Sequence, residues 1–318
     1  MNKIAYSLYE NSEVFKKILH FIFPRNKKLI RLKLYNSYFG QYLYSFYDTE
    51  SLKNKVFYNV GAGNQRSKFD FWTYLDLEGS KYNKVGVDLF FDLESLTPLP
   101  INDSSAEVIF NSFVIEHISV EATKNLCKEA FRVLKTGGVF HSKVHCYEYA
   151  YRLMDKNIIS PMFPFYDRDC VVLIDELLDR NKGRVKTFFD KDKQFVIQGK
   201  KNTEDQMVFS AYDAFLYHNA SASRENISNP KETLDAIKSD NFEEFYSKLH
   251  KYVDPDLRKP HQHNADYFSK EKLMMFLKEL GFSEVYFTQP YQSISPALWE
   301  DELNPVHKGF LFSIEAVK

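Results

Sequence analysis

The chain has 318 residues, 44% hydrophobic and 27% charged, with Lys+Arg 42 against Asp+Glu 43. That is about twice the ~150 residues of an ordinary domain, enough to bury a full core and carry a further lobe, and it excludes a disordered chain, a fibrous repeat and a single small module. A formal charge of -1 supplies no global field for holding nucleic acid by its phosphates, so a DNA or RNA substrate is not expected.

Cys127, Cys146 and Cys170 show no CxxC spacing, which argues against a disulfide framework or a four-cysteine zinc site and for a reducing compartment. The start Met1 to Tyr6 lacks the order of a signal peptide, and no apolar run approaches the roughly 18 residues that span a bilayer. The protein therefore reads as cytoplasmic.

Residues 1–50 read as a basic helical segment. Within it, 12–38 interleave Lys16, Lys17, Arg25, Lys28 and Arg31 with Phe15, Ile18, Phe21 and Leu29, and Pro24 breaks the run. Such an amphipathic stretch packs its apolar side on its own domain or makes peripheral contact with an anionic membrane surface. Residues 51–146 form the core of the reading. Short β-branched and aromatic runs mark strands over Val56 to Val60, Thr73 to Leu77, Lys84 to Phe90 and Glu107 to Ser112. A helix from Glu121 to Leu134 follows and is expected to stop at Gly137-Gly138, before a strand from Val139 to Val144. Residues 147–266 lose this rhythm and read as an inserted cap, mainly helical (Val171 to Arg180, Pro230 to Ile237, Phe242 to Val253), with a hairpin near Thr187 to Gln198. Residues 267–318 return to the core, with a helix over Lys270 to Leu280 and strands at Val285 to Phe287 and Phe310 to Val317. Strands alternating with helices predict an α/β fold around a parallel sheet.

Chemistry concentrates after the first strand. Asn59, Gly61, Ala62, Gly63 and Asn64 make a glycine turn that lets a ligand approach the backbone, although Arg66 stands where the third glycine of a dinucleotide fingerprint belongs. Asp76 ends the second strand, followed by Leu77, where a carboxylate accepts hydrogen bonds from a ribose diol. Glycine turn and acidic strand end together suggest an adenosine-type ligand.

With Tyr58-Asn59-Val60-Gly61-Ala62-Gly63, Asp76, Asp92-Leu93, Leu99-Pro100-Ile101-Asn102-Asp103-Ser104, Phe113-Val114-Ile115-Glu116-His117-Ile118 and Phe131-Arg132-Val133-Leu134-Lys135-Thr136-Gly137-Gly138 in this order, the chain resembles the class I S-adenosylmethionine-dependent methyltransferases, in their type 11 small-molecule branch. The resemblance implies a Rossmann-like fold with a mostly parallel seven-stranded sheet flanked by helices, and S-adenosyl-L-methionine as cofactor. It implies that Gly61 and Gly63 approach the methionyl part, Asp76 the ribose, Asp92 and Leu93 the adenine, and that Asn111, Ser112 and Phe113 line the floor. Family members often carry an acidic residue where Asn59 stands, and a third glycine near Gln65.

Methyl transfer is an in-line displacement, so the protein holds the acceptor and, for a hydroxyl, removes its proton. Glu116, His117 and His145 lie at strand carboxyl ends, where ligands of open α/β sheets sit, and are the candidate bases. Tyr147, Tyr217, His218, His261 and His263 are candidate contacts for a small-molecule or sugar-type acceptor, which would suit O-methylation in surface-glycan biosynthesis. His261, His263 and Asp266 have metal-ligand residue types, but without a second ligand cluster no metal is expected. A non-catalytic binding or scaffold protein on the same fold is the main alternative. A nucleic-acid methyltransferase is disfavoured because Asn111-Ser112-Phe113-Val114 lacks the Pro-Pro-aromatic turn of amino-methylating DNA enzymes. An NAD-dependent oxidoreductase lacks its full glycine fingerprint and a Tyr-x-x-x-Lys pair.

Overall fold

The computed structural model describes residues 12, 40–79, 86–155, 185–189, 195–199, 207–209, 227–252, 269–289, 292–300 and 311–318. The membrane-surface reading of 12–38, apart from Ser12, and the helix expected over Val171 to Arg180 lie outside them. Among the described residues no helix is long and apolar enough to cross a membrane.

Seven strands form one sheet: β1 Phe57–Val60, β2 Trp72–Asp76, β3 Leu89–Phe90, β4 Ala106–Ser112, β5 Leu134–His145, β9 Glu284–Thr288 and β10 Leu311–Val317. Their order is β3-β2-β1-β4-β5-β10-β9. The pairs from β3 to β5 are parallel, while β10 runs antiparallel to both β5 and β9, so the sheet is mixed. The order reverses at β1, with β2 on one side and β4 on the other. That switch point opens a crevice at the carboxyl ends of β1 and β4.

Burial on both faces explains the apolar run Val108-Ile109-Phe110 at the centre of β4. One face is covered by α3, Val120–Val133, and α7, Lys270–Glu279, whose Leu126, Ala130, Val133, Leu273 and Leu277 pack on Ile109, Phe140 and Ile314. Ser119 caps α3 by accepting from the Ala122 N–H at 3.1 Å. On the other face, α1 (40–46) and α2 (Thr49–Lys53) bring Leu43 and Leu52 onto Phe57, Trp72 and Phe110. Each fully buried large side chain of this kind contributes about 1.5–3 kcal/mol over its exposed state.

Two expectations need correction. Gly137-Gly138 do not end the helix. α3 stops at Val133 and β5 starts at once, pairing Leu134 with Ala106 before the register jumps to Val139 beside Val108. Residues 135–138 bulge out, with Gly137 at φ +78 and a Cβ on Gly138 only 2.9 Å from the Lys135 carbonyl oxygen, so both glycines serve the bulge. Of the third strand, expected over Lys84 to Phe90, residues 84 and 85 lie outside the described residues, and of residues 86–90 Leu89–Phe90 form β3 while the Asp88 carboxylate takes the Tyr74 N–H at 2.8 Å. The inserted region was expected to be mainly helical with one hairpin. Beside α4 (Tyr147–Asp155), α5 (Pro230–Ile237) and α6 (Phe242–Leu249), the expected hairpin gains a third strand, giving an antiparallel sheet of β6 Val185–Phe189, β7 Phe195–Gly199 and β8 Met207–Phe209.

Candidate active site

The glycine turn begins where β1 ends. Gly61 and Ala62 both donate their N–H to the Leu75 carbonyl, at 2.9 and 3.1 Å, which ties the turn to β2. Gly61 has φ +66, and a Cβ there would stand 2.5 Å from Val114 Cγ2, so this glycine is required by the residue that follows β4. Gly63, at φ +51, donates its N–H to Asp76 Oδ2 at 2.8 Å, and Leu77 donates to Asp76 Oδ1 at 2.8 Å. The carboxylate is thereby fixed at the mouth of the turn. Arg66 replaces the missing third glycine by a different device: its guanidinium donates to the carbonyls of Gly63 (3.0 Å), Gln65 (2.7 Å) and Gly86 (2.7 Å) while lying 4.4 Å over the Tyr74 ring.

These elements wall a cleft of about 610 Å³. Of the sequence-derived cofactor candidates, Gly61, Ala62, Gly63, Asn64, Asp76, Leu77, Leu93, Ser112 and Phe113 line it, and so does His117. Three candidates are displaced from the cleft wall. Asn59 is fully buried beneath it, its amide meeting no hydrogen-bond partner among the described residues. Asn111 is fully buried and accepts from Ser142 Oγ at 2.6 Å. Asp92 caps the single turn Leu93–Ser95 by accepting from the Glu94 N–H at 2.9 Å, and its neighbour Phe91 takes the place at the wall. Phe91, Val114 and Ile118 add apolar wall; Val114 and Ile118 belong to the stretch that carries the family resemblance, whereas Phe91 was not singled out.

At the β4 end, Phe113 holds a left-handed φ of +57 and donates its N–H to the Lys143 carbonyl at 2.9 Å. A non-glycine residue held there stores about 1–3 kcal/mol of strain, which is characteristic of functional sites. Its ring packs 4.8 Å from that of His145. The turn Ile115–His117 then parts two adjacent candidates: His117 faces the cleft, whereas Glu116 points inward, with Oε1 at 3.3 Å from His145 Nδ1. Glu116 is 2% exposed, and burial pushes its carboxyl up to about 8. Tyr147 is buried with its ring 6.3 Å from His145, so it joins the same group. Tyr217, His218, His261, His263 and Asp266 lie outside the described residues, among which no cluster of three or more His, Cys, Asp or Glu is placed to hold a metal.

Lys143, two residues before His145, is fully buried, with its ammonium 5.9 Å from the Phe113 ring centre. Burial pulls it down to about 8. Sequence reasoning absorbed it into strand five, although a Lys alternating with His141 and His145 on a buried strand was the available signal. On the same face, His141 Nδ1 and Glu315 Oε2 are 2.8 Å apart, and Tyr286 donates to Glu315 Oε1 at 2.6 Å, which ties β5, β10 and β9 together.

The cleft fits a nucleoside. It offers a carboxylate for vicinal hydroxyls, a turn whose glycine a methyl group would disrupt, and the apolar side chains of Leu77, Phe91, Leu93 and Ile118 for a flat base.

Residues 68–142 match the family described as "Methyltransferase domain"; the match opens after the glycine turn and runs through β5 to Ser142. No curated protein matches the chain. Among solved structures it is similar to a S-adenosylmethionine-dependent methyltransferase, possible histamine N-methyltransferase, from Thermotoga maritima (13% identity, 90% of this chain and 96% of that one, TM-score 0.34). It is likewise similar to a SAM-dependent methyltransferase from Archaeoglobus fulgidus (10%, 82% and 85%, 0.34) and to PigF in complex with SAH (10%, 94% and 62%, 0.32). At such identities and scores these overlaps assign no residue a role.

Proposed function

We propose that this chain, whose residues 68–142 match the family described as "Methyltransferase domain", is a class I S-adenosylmethionine-dependent methyltransferase that transfers the methyl group to a hydroxyl oxygen of a small, sugar-type acceptor, in the cytoplasm and in the service of surface-glycan assembly. The observation that supports the oxygen assignment is the buried Glu116–His145 pair, 3.3 Å apart, with the His145 ring 4.8 Å from that of Phe113, which lines the cleft. A thiol acceptor needs little help at neutral pH, whereas a hydroxyl must lose its proton as it attacks.

In this reading Asp76 holds the ribose hydroxyls, Leu93 with Phe91 the base, and the turn at Gly61 and Gly63 the methionyl end. When bound, S-adenosylmethionine supplies a methyl carbon on a positively charged sulfur, which departs with the C–S bonding pair as a neutral thioether. His145 takes the acceptor proton at Nε2 while the acceptor oxygen forms the new C–O bond. Glu116 accepts from His145 Nδ1–H and balances the imidazolium charge, and Phe113 keeps water from the pair. His117, on the cleft side of the same turn, positions the acceptor rather than deprotonating it.

The test is a mass-spectrometric assay of purified protein with S-adenosylmethionine and a panel of sugars, sugar acids, phenols, amines and thiols, paired with calorimetric titration of S-adenosylhomocysteine. Binding of the nucleoside and a +14 Da product on a hydroxyl compound are expected. Methylation confined to amines or thiols refutes the oxygen assignment, and cofactor binding without turnover of any acceptor favours the scaffold alternative.

A further inference from the structure

Parallel strands are ordinarily joined through an α-helix, whose own hydrogen bonds hold the chain behind the first turn. The link from β1 to β2, residues 61–71, contains no helix, yet its first half walls the cleft from Gly61 to Gln65. Its backbone N–H groups need partners all the same, and side chains outside the loop supply them. Gly63 donates to Asp76 Oδ2 at 2.8 Å, Ser67 to the Tyr74 hydroxyl at 2.9 Å, and Lys68 to Glu300 Oε1. The Ser67 hydroxyl donates to Glu300 Oε2 at 2.5 Å and accepts from the Phe69 N–H at 2.9 Å.

Glu300 is 4% exposed. A carboxylate leaves water at a high cost unless donors replace the water, and here the loop provides them. The segment that carries Glu300, residues 293–300, is itself firmly mounted. Ile294 donates its N–H to Glu315 Oε1 at 3.0 Å, the Ser295 and Tyr47 hydroxyls are 2.6 Å apart, and the Trp299 indole N–H donates to the Ser293 carbonyl at 2.7 Å. Ala297 and Leu298 are buried in the cluster of Phe57 and Trp72, and the Trp299 ring stacks 5.8 Å from that of Tyr42. We propose that Glu300 is a positioning residue for cofactor binding, clamping the loop of residues 63–69 behind the cleft in place of the absent crossover helix. Glu300 does not line the cleft, so it acts through the loop. A loop already held in its bound shape has less ordering to lose when a ligand arrives. This role deepens the proposed function and rests on the cleft being the cofactor site.

The test titrates the full chain with S-adenosylhomocysteine by calorimetry and follows amide hydrogen exchange with and without it. Glu300→Ala weakens binding about tenfold. In the free variant the amides of Ser67, Lys68 and Phe69 exchange faster, and they regain protection on binding. Glu300→Gln keeps a carbonyl acceptor for the Lys68 N–H and stays within about threefold of the wild type. Leu273→Ala opens a cavity on the opposite face of the sheet and lowers the unfolding midpoint, but leaves the affinity within about twofold. Ser67→Ala, a milder change that removes one donor to Glu300, weakens binding about threefold and keeps the test decisive if Glu300→Ala does not fold. An affinity unchanged in both Glu300→Ala and Ser67→Ala, an equal loss in Leu273→Ala, or faster exchange that spares the loop overturns the clamp while leaving the cofactor reading in place. A wild-type chain that ignores S-adenosylhomocysteine defeats the cofactor reading, and the role of Glu300 with it.

Discussion

Replacing Gly61 by alanine separates two physical demands on the glycine turn. A non-glycine residue in the left-handed region costs about 1–2 kcal/mol. The new Cβ would also stand 2.5 Å from Val114 Cγ2 and 3.0 Å from Cγ1, and overpacking of that kind adds about 1–3 kcal/mol. Gly61→Ala is therefore expected to lose about 2–5 kcal/mol of stability, with a parallel loss of S-adenosylhomocysteine affinity as the turn shifts. Val114→Ala by itself costs about 1.5 kcal/mol for two methyl groups. The double variant recovers the steric share, so urea denaturation of all four chains should give a coupling energy of about 1–3 kcal/mol. Additivity within about 0.5 kcal/mol would refute the interlock between the β1 turn and the end of β4. A fully stable Gly61→Ala that has lost only nucleoside binding would show that the glycine serves ligand approach instead.

Asp76→Ala removes the acceptor of the Gly63 and Leu77 N–H groups and the proposed ribose contact; S-adenosylhomocysteine affinity measured by calorimetry falls by about 1–3 kcal/mol. Glu116, pushed up to about 8 by burial, keeps a proton that the unfolded chain releases near the ordinary value of 4.5, so stability declines as pH rises from that value to about 8. Glu116→Gln flattens the decline, read by denaturation at several pH values. In the proposed mechanism an ionised Glu116, 3.3 Å from His145 Nδ1, balances the charge that His145 takes up. Methyl transfer thus rises as pH passes through about 8, with an apparent pKa belonging to the pair, and this limb vanishes in Glu116→Gln. Burial alone would raise the Glu315 carboxyl, but the His141 ring and its charge, with the hydroxyls of Ser293 and Tyr286, hold it below its ordinary value. Its contribution is present above the ordinary carboxylate range and lost as pH falls through the lowered value; Glu315→Gln removes that acid-side loss, visible in the pH dependence of thermal unfolding.

Much of the sheet was legible because the signals are local. Strands buried on both faces must be apolar runs, and Phe57 to Val60, Trp72 to Asp76 and Ala106 to Ser112 are such runs ended by turn residues. Helix α3 shows its face at Leu126, Ala130 and Val133, as the 3.6-residue period demands. The position of Asp76 relative to the glycine turn is likewise a matter of chain distance along one strand, turn and strand unit. The role of Gly137-Gly138 was misread for the converse reason: a helix stop and a strand bulge both need glycine, and pairing with Ala106 and Val108 decides between them.

The order of residues along the chain determined the α/β alternation, the glycine turn, the acidic end of β2 and the polar residues at the carboxyl ends of β4 and β5, since each depends on neighbours a few positions away. Only the tertiary structure decided that Glu116 turns inward to His145 while His117 faces the cleft, that Arg66 clasps the turn, and that β10 enters in reverse between β5 and β9. Those outcomes depend on register and burial between segments as far apart in sequence as Val139 and Val317, and such contacts leave no periodic trace in the sequence that makes them.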